Sequence, residues 1–150
     1  MIDATKHTVE FIKTFDASLD PDLWLKLVEE EYKEVAEARR GTDQAHLLKE
    51  IADLIYVMTP FVSILDALDG LPVLSADREA KYAMAIEKSI KVIDAMVDMY
   101  GEKTIQEAVD RVHASNMSKL GEDGKPIRRE DGKILKGPNY KEPDLSDLVR

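Results

Sequence analysis

The chain has 150 residues, a formal net charge of −9, 44% hydrophobic and 34% charged residues, and no cysteine. That length supports one domain with a substantial core, and the mixture is that of a folded chain rather than a disordered one. Without cysteine there are no disulfides and no thiolate metal sites, so a metal would sit on oxygen or imidazole, and the acidic balance argues against nonspecific nucleic-acid binding, which depends on neutralising phosphates.

Helical periodicity dominates the first 120 residues or so, and no strand-like alternation lasts long enough there to build a sheet, so the expected body is all-α. Thr8 to Phe15 reads as a short first helix with Val9, Ile12 and Phe15 or Phe11 inward. Asp20-Pro21-Asp22 is a start signal, with Asp20 as N-cap and Pro21 in the first turn, for a second helix running to Arg40 before Gly41. A third helix begins near Thr42 or Asp43 and runs towards Asp69-Gly70, with Pro60 expected to kink or divide it. Leu71 to Ser75 reads as a connection. From Ala76 to Tyr100 the residues Ala83, Ile86, Ile90, Ile93, Val97 and Tyr100 recur at helical steps, giving a long amphipathic helix closed by Gly101. Thr104 with Glu107 reads as a capping box opening a fifth helix, with Ile105, Ala108, Val109 and Val112 on one face.

Composition changes after Lys119. Glycines, prolines and the pairs Asp123-Gly124 and Asp131-Gly132 end the helical pattern and signal turns, so residues 120–150 are expected to form an irregular basic segment of the same domain. A structured loop, a small hairpin and a tail all fit. Between Lys119 and Lys141 there are seven basic and four acidic residues, so positive charge is concentrated there.

The acids of the second and third helices carry the functional signal. At about 100° per residue, Trp24, Val28 and Val35 define an apolar arc, Glu31 falls roughly 20° from Trp24, and Glu34 falls between Leu27 and Leu23. Glu30 sits at the edge, next to Leu23. On the third helix Glu50 lies within the arc of Leu47, Leu54, Val57 and Phe61, with Asp53 beside Val57 and Ile64. A solvated acidic face explains most Glu-rich helices, and salt bridges to Arg39, Lys49 or Lys119 would account for one of these acids. Neither explains five acids set into or beside apolar arcs, because a carboxylate carried inward is costly unless paired, protonated or bound to a metal. Clustered carboxylates suit Mg²⁺, or Mn²⁺, and two facing helices can supply them.

Glu30-Glu31-Tyr32-Lys33-Glu34, followed after a turn by Glu50-Ile51-Ala52-Asp53, resembles the paired acidic signature of the all-α nucleoside triphosphate pyrophosphohydrolase superfamily. That group includes the MazG-like, phosphoribosyl-ATP pyrophosphohydrolase and dimeric dUTPase families. Val112 to Lys119, then Asp131-Gly132-Lys133 and Lys136-Gly137, resemble the closing segment of a related subgroup with dUTP-hydrolysing members. The resemblance implies a MazG-like helical bundle in which Glu31, Glu34, Glu50 and Asp53 hold Mg²⁺, and in which Glu30 binds a second ion or orients the attacking water. It implies a catalytic group of Glu30, Glu31 and Glu34, and nucleotide contacts from Asn116, Lys119, Lys133 and Lys136. The implied reaction takes an NTP or dNTP, dUTP among the candidates, to monophosphate and pyrophosphate, in a homodimer or dimer of dimers.

Other readings compete. A noncatalytic, metal-dependent nucleotide-binding or regulatory module would keep the same acids, and a purely structural helical assembly would need none of them. There is no G-x-x-x-x-G-K-[ST] loop for a P-loop enzyme, and Asp43-x-x-His46 and Asp110-x-x-His113 are not the Glu-x-x-His pairs of di-iron bundles. His7 and His46 are expected at the surface. His113 reads as a surface or packing residue with a direct role left open, Trp24 as core or interface packing, and Tyr56, opposite the main arc, as lining a pocket or a subunit contact. Met1-Ile2-Asp3-Ala4-Thr5 has no signal pattern, and no unbroken apolar run approaches the roughly 20 residues of a membrane span. A cytoplasmic protein with no membrane partner is the expectation.

Overall fold

A computed structural model describes residues 1–69 and 75–149. It contains helices α1 (Thr5–Phe15), α2 (Pro21–Ala38), α3 (Gln44–Leu68), α4 (Ala76–Tyr100) and α5 (Glu102–Met117), then strands β1 (Ile127–Arg128) and β2 (Ile134–Leu135) and a 3₁₀ turn at Ser146–Val149. The protein is an all-α helical bundle carrying one small antiparallel hairpin. The expected connection after α3 lies outside the described residues, apart from Ser75.

Helix α3 is central and packs against α1, α2, α4 and α5. Leu48, Ile51, Leu54 and Phe61 are fully buried, as are Val28 and Val35 from α2 and Ile105, Val109 and Val112 from α5. An 18-residue stretch of the 25-residue α3 has a mean hydropathy of 1.7, so length and composition alone would let it cross a membrane. Its neighbours explain that apolarity, because a helix covered on several sides needs no broad polar face.

Local chemistry sets the helix ends. Asp20 accepts from the Asp22 amide, with Pro21 opening α2. Asp43 accepts from the His46 amide at the start of α3, and Ser75 from the Arg78 amide at the start of α4. Helix α2 stops at Ala38, followed by a short turn, rather than reaching Arg40. Gly101, at φ 86°, both closes α4 and opens α5, so α5 starts at Glu102 and the Thr104–Glu107 capping box does not form. Pro60 lies inside an undivided α3, and the Thr59 hydroxyl donates to the Ile55 carbonyl in the turn where proline removes an amide donor.

Two faces differ from the periodicity. In α1, Thr8, Phe11 and Phe15 are buried and Val9 is exposed. In α4, Tyr82, Ser89, Val92 and Met96 turn inward, while Ile86, Ile93, Val97 and Tyr100 flank the core and Ile90 is exposed. Tyr82 explains the rotation: its ring meets Phe61 edge-on at 5.6 Å, and neighbouring Arg78 pairs with Asp22 of α2 at 3.0 Å.

After α5 the chain folds back over the bundle. Lys141 accepts from the Ser115 hydroxyl through its carbonyl at 2.6 Å, and its amide donates to Ser118 Oγ at 2.9 Å. A side chain on Gly137 would collide with the Leu120 carbonyl, so this approach needs glycine. Gly124 and Gly132 both have positive φ, placing turns at the two Asp-Gly pairs.

Candidate active site

The C-terminal half of α2 faces the N-terminal half of α3 across the turn at 39–43. Glu31, Glu50 and Asp53 each bring a carboxylate oxygen within 4.8 Å of the others. Glu34, more exposed, lies against Glu31 and Glu50 at the rim. Three-residue spacing puts each helix's two acids on one face, and the apolar residues around them carry that face inward.

Burial dominates the electrostatics. It pushes the Glu31 carboxyl up to about 9, with the Asp53 and Glu34 charges adding to the effect. Burial also lifts Glu50 to about 7 against the pull of Lys49, and raises Asp53 against the same lysine. Lys49 Nζ donates to Glu50 Oε1 at 3.2 Å and to Asp53 Oδ2 at 2.8 Å. Burial would lower the Lys49 pKa, but the Asp53 and Glu50 carboxylates hold it above the ordinary lysine range. Lys49 thus realises the salt-bridge alternative for two acids. It leaves Glu31 Oε2 and Glu50 Oε2 buried with no hydrogen-bond partner. Orphaned carboxyl oxygens in an all-oxygen group fit a hard divalent cation, which would displace their protons and be held by Glu31, Glu50 and Asp53 with Glu34 beside them.

Glu30 stands apart from this group. Its carboxylate accepts from Arg129 at 3.1 Å and from Lys133 at 3.0 Å, both from the hairpin. Burial would raise its pKa, but Lys133 and then Arg129 more than offset this and hold it below the usual carboxylate range.

A cleft of about 500 Å³ opens from the acids and is also lined by Asn116, Lys119, Lys133, Lys136 and Tyr140. All four residues expected to contact nucleotide therefore face one space. Burial lowers the pKa of Lys119, while the Asp53 and Glu31 charges oppose it. Beside the cleft is a narrower pocket of about 70 Å³, walled by Phe11, Trp24, Leu27 and Tyr56 and sharing Glu31, Asp53, Asn116, Lys119 and Lys133 with it. Trp24 is buried and its indole donates to the Ser18 carbonyl at 2.7 Å, so it is both packing and pocket wall.

His7 and His113 are less superficial than their sequence positions imply. His113 is buried, its Nδ1 2.8 Å from the Tyr56 hydroxyl, and His7 stacks on it at 4.2 Å while pairing with Asp110. His46 is exposed, as expected, and places Nδ1 3.4 Å from Glu50. Sequence reasoning weighed Lys49 only as a salt-bridge partner and missed Phe11 and Arg129. The i,i+4 spacing of Lys49 and Asp53 is a local signal, whereas Arg129 meets Glu30 across 99 residues and has none.

Residues 1–63 match the family model described as phosphoribosyl-ATP pyrophosphohydrolase. In this segment the chain is similar to the all-α nucleoside triphosphate pyrophosphohydrolases, the superfamily that holds that family. The pyrophosphohydrolase match contains Glu30, Glu31, Glu34, Glu50 and Asp53, and it also takes in α1, which supplies Phe11 to the pocket. It stops before α4, α5 and the hairpin, so the placement of Asn116, Lys119, Lys133 and Lys136 rests on geometry. No curated protein and no solved structure gives a significant match.

Proposed function

We propose that the protein is a Mg²⁺-dependent nucleoside triphosphate pyrophosphohydrolase, with Mn²⁺ able to substitute, releasing monophosphate and pyrophosphate. The observation that carries this reading is the group Glu31, Glu50 and Asp53 with its orphaned oxygens, lining one cleft with Lys119, Lys133 and Lys136. A divalent ion held by Glu31, Glu50 and Asp53 would supply positive charge to polarise phosphoryl oxygens and stabilise a departing pyrophosphate. The carboxylates fix its position, the lysines offset phosphate charge, and Asn116 offers hydrogen bonds where cleft and pocket join. Phe11, Trp24 and Tyr56 form an apolar recess for a nucleobase while keeping water from the buried acids.

A homo-oligomer belongs to the same reading. Helix α4 leaves Met84, Ile90 and Met99 exposed, with Ile86, Ile93 and Val97 only partly covered. A second copy is the proposed occupant, and a cytoplasmic location is proposed with it.

The test is a panel of canonical, deoxy and modified triphosphates, dUTP included, assayed for pyrophosphate release with and without Mg²⁺. Release from at least one member, only with the metal, is the expected result. Nucleotide and metal binding without turnover across the panel would replace the enzyme with a regulatory module.

A further inference from the structure

Glu30 is adjacent to a proposed metal ligand in sequence but engaged elsewhere in space. Its two oxygens take one hairpin cation each, Arg129 and Lys133. The same hairpin is tied to α2 again by Lys26 to Asp131 at 2.8 Å, and Asp131 also grips Arg129 within the turn at 2.6 Å. Arg128 donates to the Phe15 carbonyl at 2.6 Å, fixing the hairpin to the end of α1. The turn of this hairpin carries Lys133, and its second strand with the following residue carries Ile134, Leu135 and Lys136 onto the cleft that the acids also line.

We infer that Glu30 is a positioning residue, neither metal ligand nor proton acceptor: it clasps the hairpin to α2 so that Lys133 stands at the cleft rim to receive a phosphate group. Geometry separates the roles. Glu30 lies outside the carboxylate group, and both of its oxygens have partners, whereas Glu31 Oε2 and Glu50 Oε2 have none. Lys133 has three donors, so one can stay on Glu30 while the others meet a ligand anion. Arg129 holds Glu30 through its rigid guanidinium and keeps the clasp anchored when Lys133 turns to a phosphate. Coulomb's law alone predicts the opposite effect of removing Glu30, since deleting a negative charge beside two cations strengthens anion binding. The clasp therefore makes a distinctive claim: loss of that charge weakens anion binding because the hairpin is no longer held.

The experiment uses the full chain with Glu30→Gln, with Glu31→Gln and Lys133→Gln for comparison and circular dichroism to verify the fold. Titration with Mn²⁺ alone should show Glu30→Gln within about twofold of the parent, while Glu31→Gln loses far more. Amide hydrogen exchange across 127–135 should accelerate in Glu30→Gln by about tenfold, since the Arg129 and Gly132 amides bond only to the Lys133 and Arg129 carbonyls of the same small hairpin, which opens more readily once it is not held to α2. Inorganic tripolyphosphate with Mg²⁺ should bind roughly five- to tenfold more weakly to Glu30→Gln, and the added effect should shrink by half or more in the Lys133→Gln background. With an active substrate, KM should rise while kcat holds. A loss of Mn²⁺ affinity matching Glu31→Gln, or a collapse of kcat, would overturn the inference, as would unchanged exchange or tighter tripolyphosphate binding. The inference rests on the pyrophosphohydrolase reading for the identity of the anion. Exchange and Mn²⁺ binding need no turnover, so failure of the clasp and failure of the enzyme reading are distinguishable.

Discussion

Glu31 concentrates the physical conflict of the site. Burial holds its carboxyl near 9 and that of Glu50 near 7, both above the ordinary 4.5. A carboxyl whose folded pKa is raised binds its proton more tightly in the folded state, so its contribution to stability is complete below the unfolded pKa and is lost as pH rises through the folded one. The metal-free protein should therefore lose stability between about pH 4.5 and pH 9, and Glu31→Gln should flatten that fall. Metal binding runs the other way, because the ligands must be deprotonated. The rise in melting temperature on adding Mg²⁺ should be larger at pH 8.5 than at pH 6, measured by calorimetry in the same buffer system. Glu31→Gln should weaken Mg²⁺ binding by more than about tenfold, a loss typical even of residues one shell further out. An equal Mg²⁺ effect at both pH values, or in both proteins, would place the ion elsewhere.

Among the elements, α3 and the folded-back C-terminal segment divide the work of building the site. Helix α3 supplies Glu50 and Asp53 from a helix whose Ile51, Leu54 and Leu48 are fully buried. Leu54→Ala should cost about 2–5 kcal/mol in chemical denaturation, because a cavity would open beside Asp53 with little room to collapse. The C-terminal segment is held more locally. Gly137→Ala forces the backbone away from Leu120 and should impair substrate binding by shifting Lys136 and Tyr140, with helical content preserved in circular dichroism. Normal KM in that variant would remove the segment from substrate binding. The helices and the caps at Asp20, Asp43 and Gly101 were legible in the sequence because these residues act on their own neighbours, whereas the Thr104–Glu107 box gave way to Gly101, which opens α5 at Glu102. So was the inward aim of Glu31 and Glu50, which follows from periodicity. The rotation of α4, the hairpin's seat on α2 and the stack of His7 on His113 were not legible, because each depends on residues distant in sequence. The undivided α3 shows tertiary packing prevailing over a local helix breaker.

At the scale of the molecule, the excess negative charge and the local cations have complementary places. The acids converge at the α2–α3 face, and the basic segment after α5 returns over it, so a triphosphate and its metal would be held between opposite signs. If copies associate through α4, Ile90→Lys should lower the mass seen in sedimentation without unfolding the protein, because Ile90 is already exposed in the single chain. The most direct test is chromatographic identification of the products from a hydrolysed triphosphate with Mg²⁺, comparing the parent with Asp53→Asn. Monophosphate and pyrophosphate from the parent, with the metal-dependent rate lowered by orders of magnitude in a folded Asp53→Asn variant, is the expected result. Diphosphate nucleotide and orthophosphate as the products, or an undiminished rate in Asp53→Asn, would contradict it.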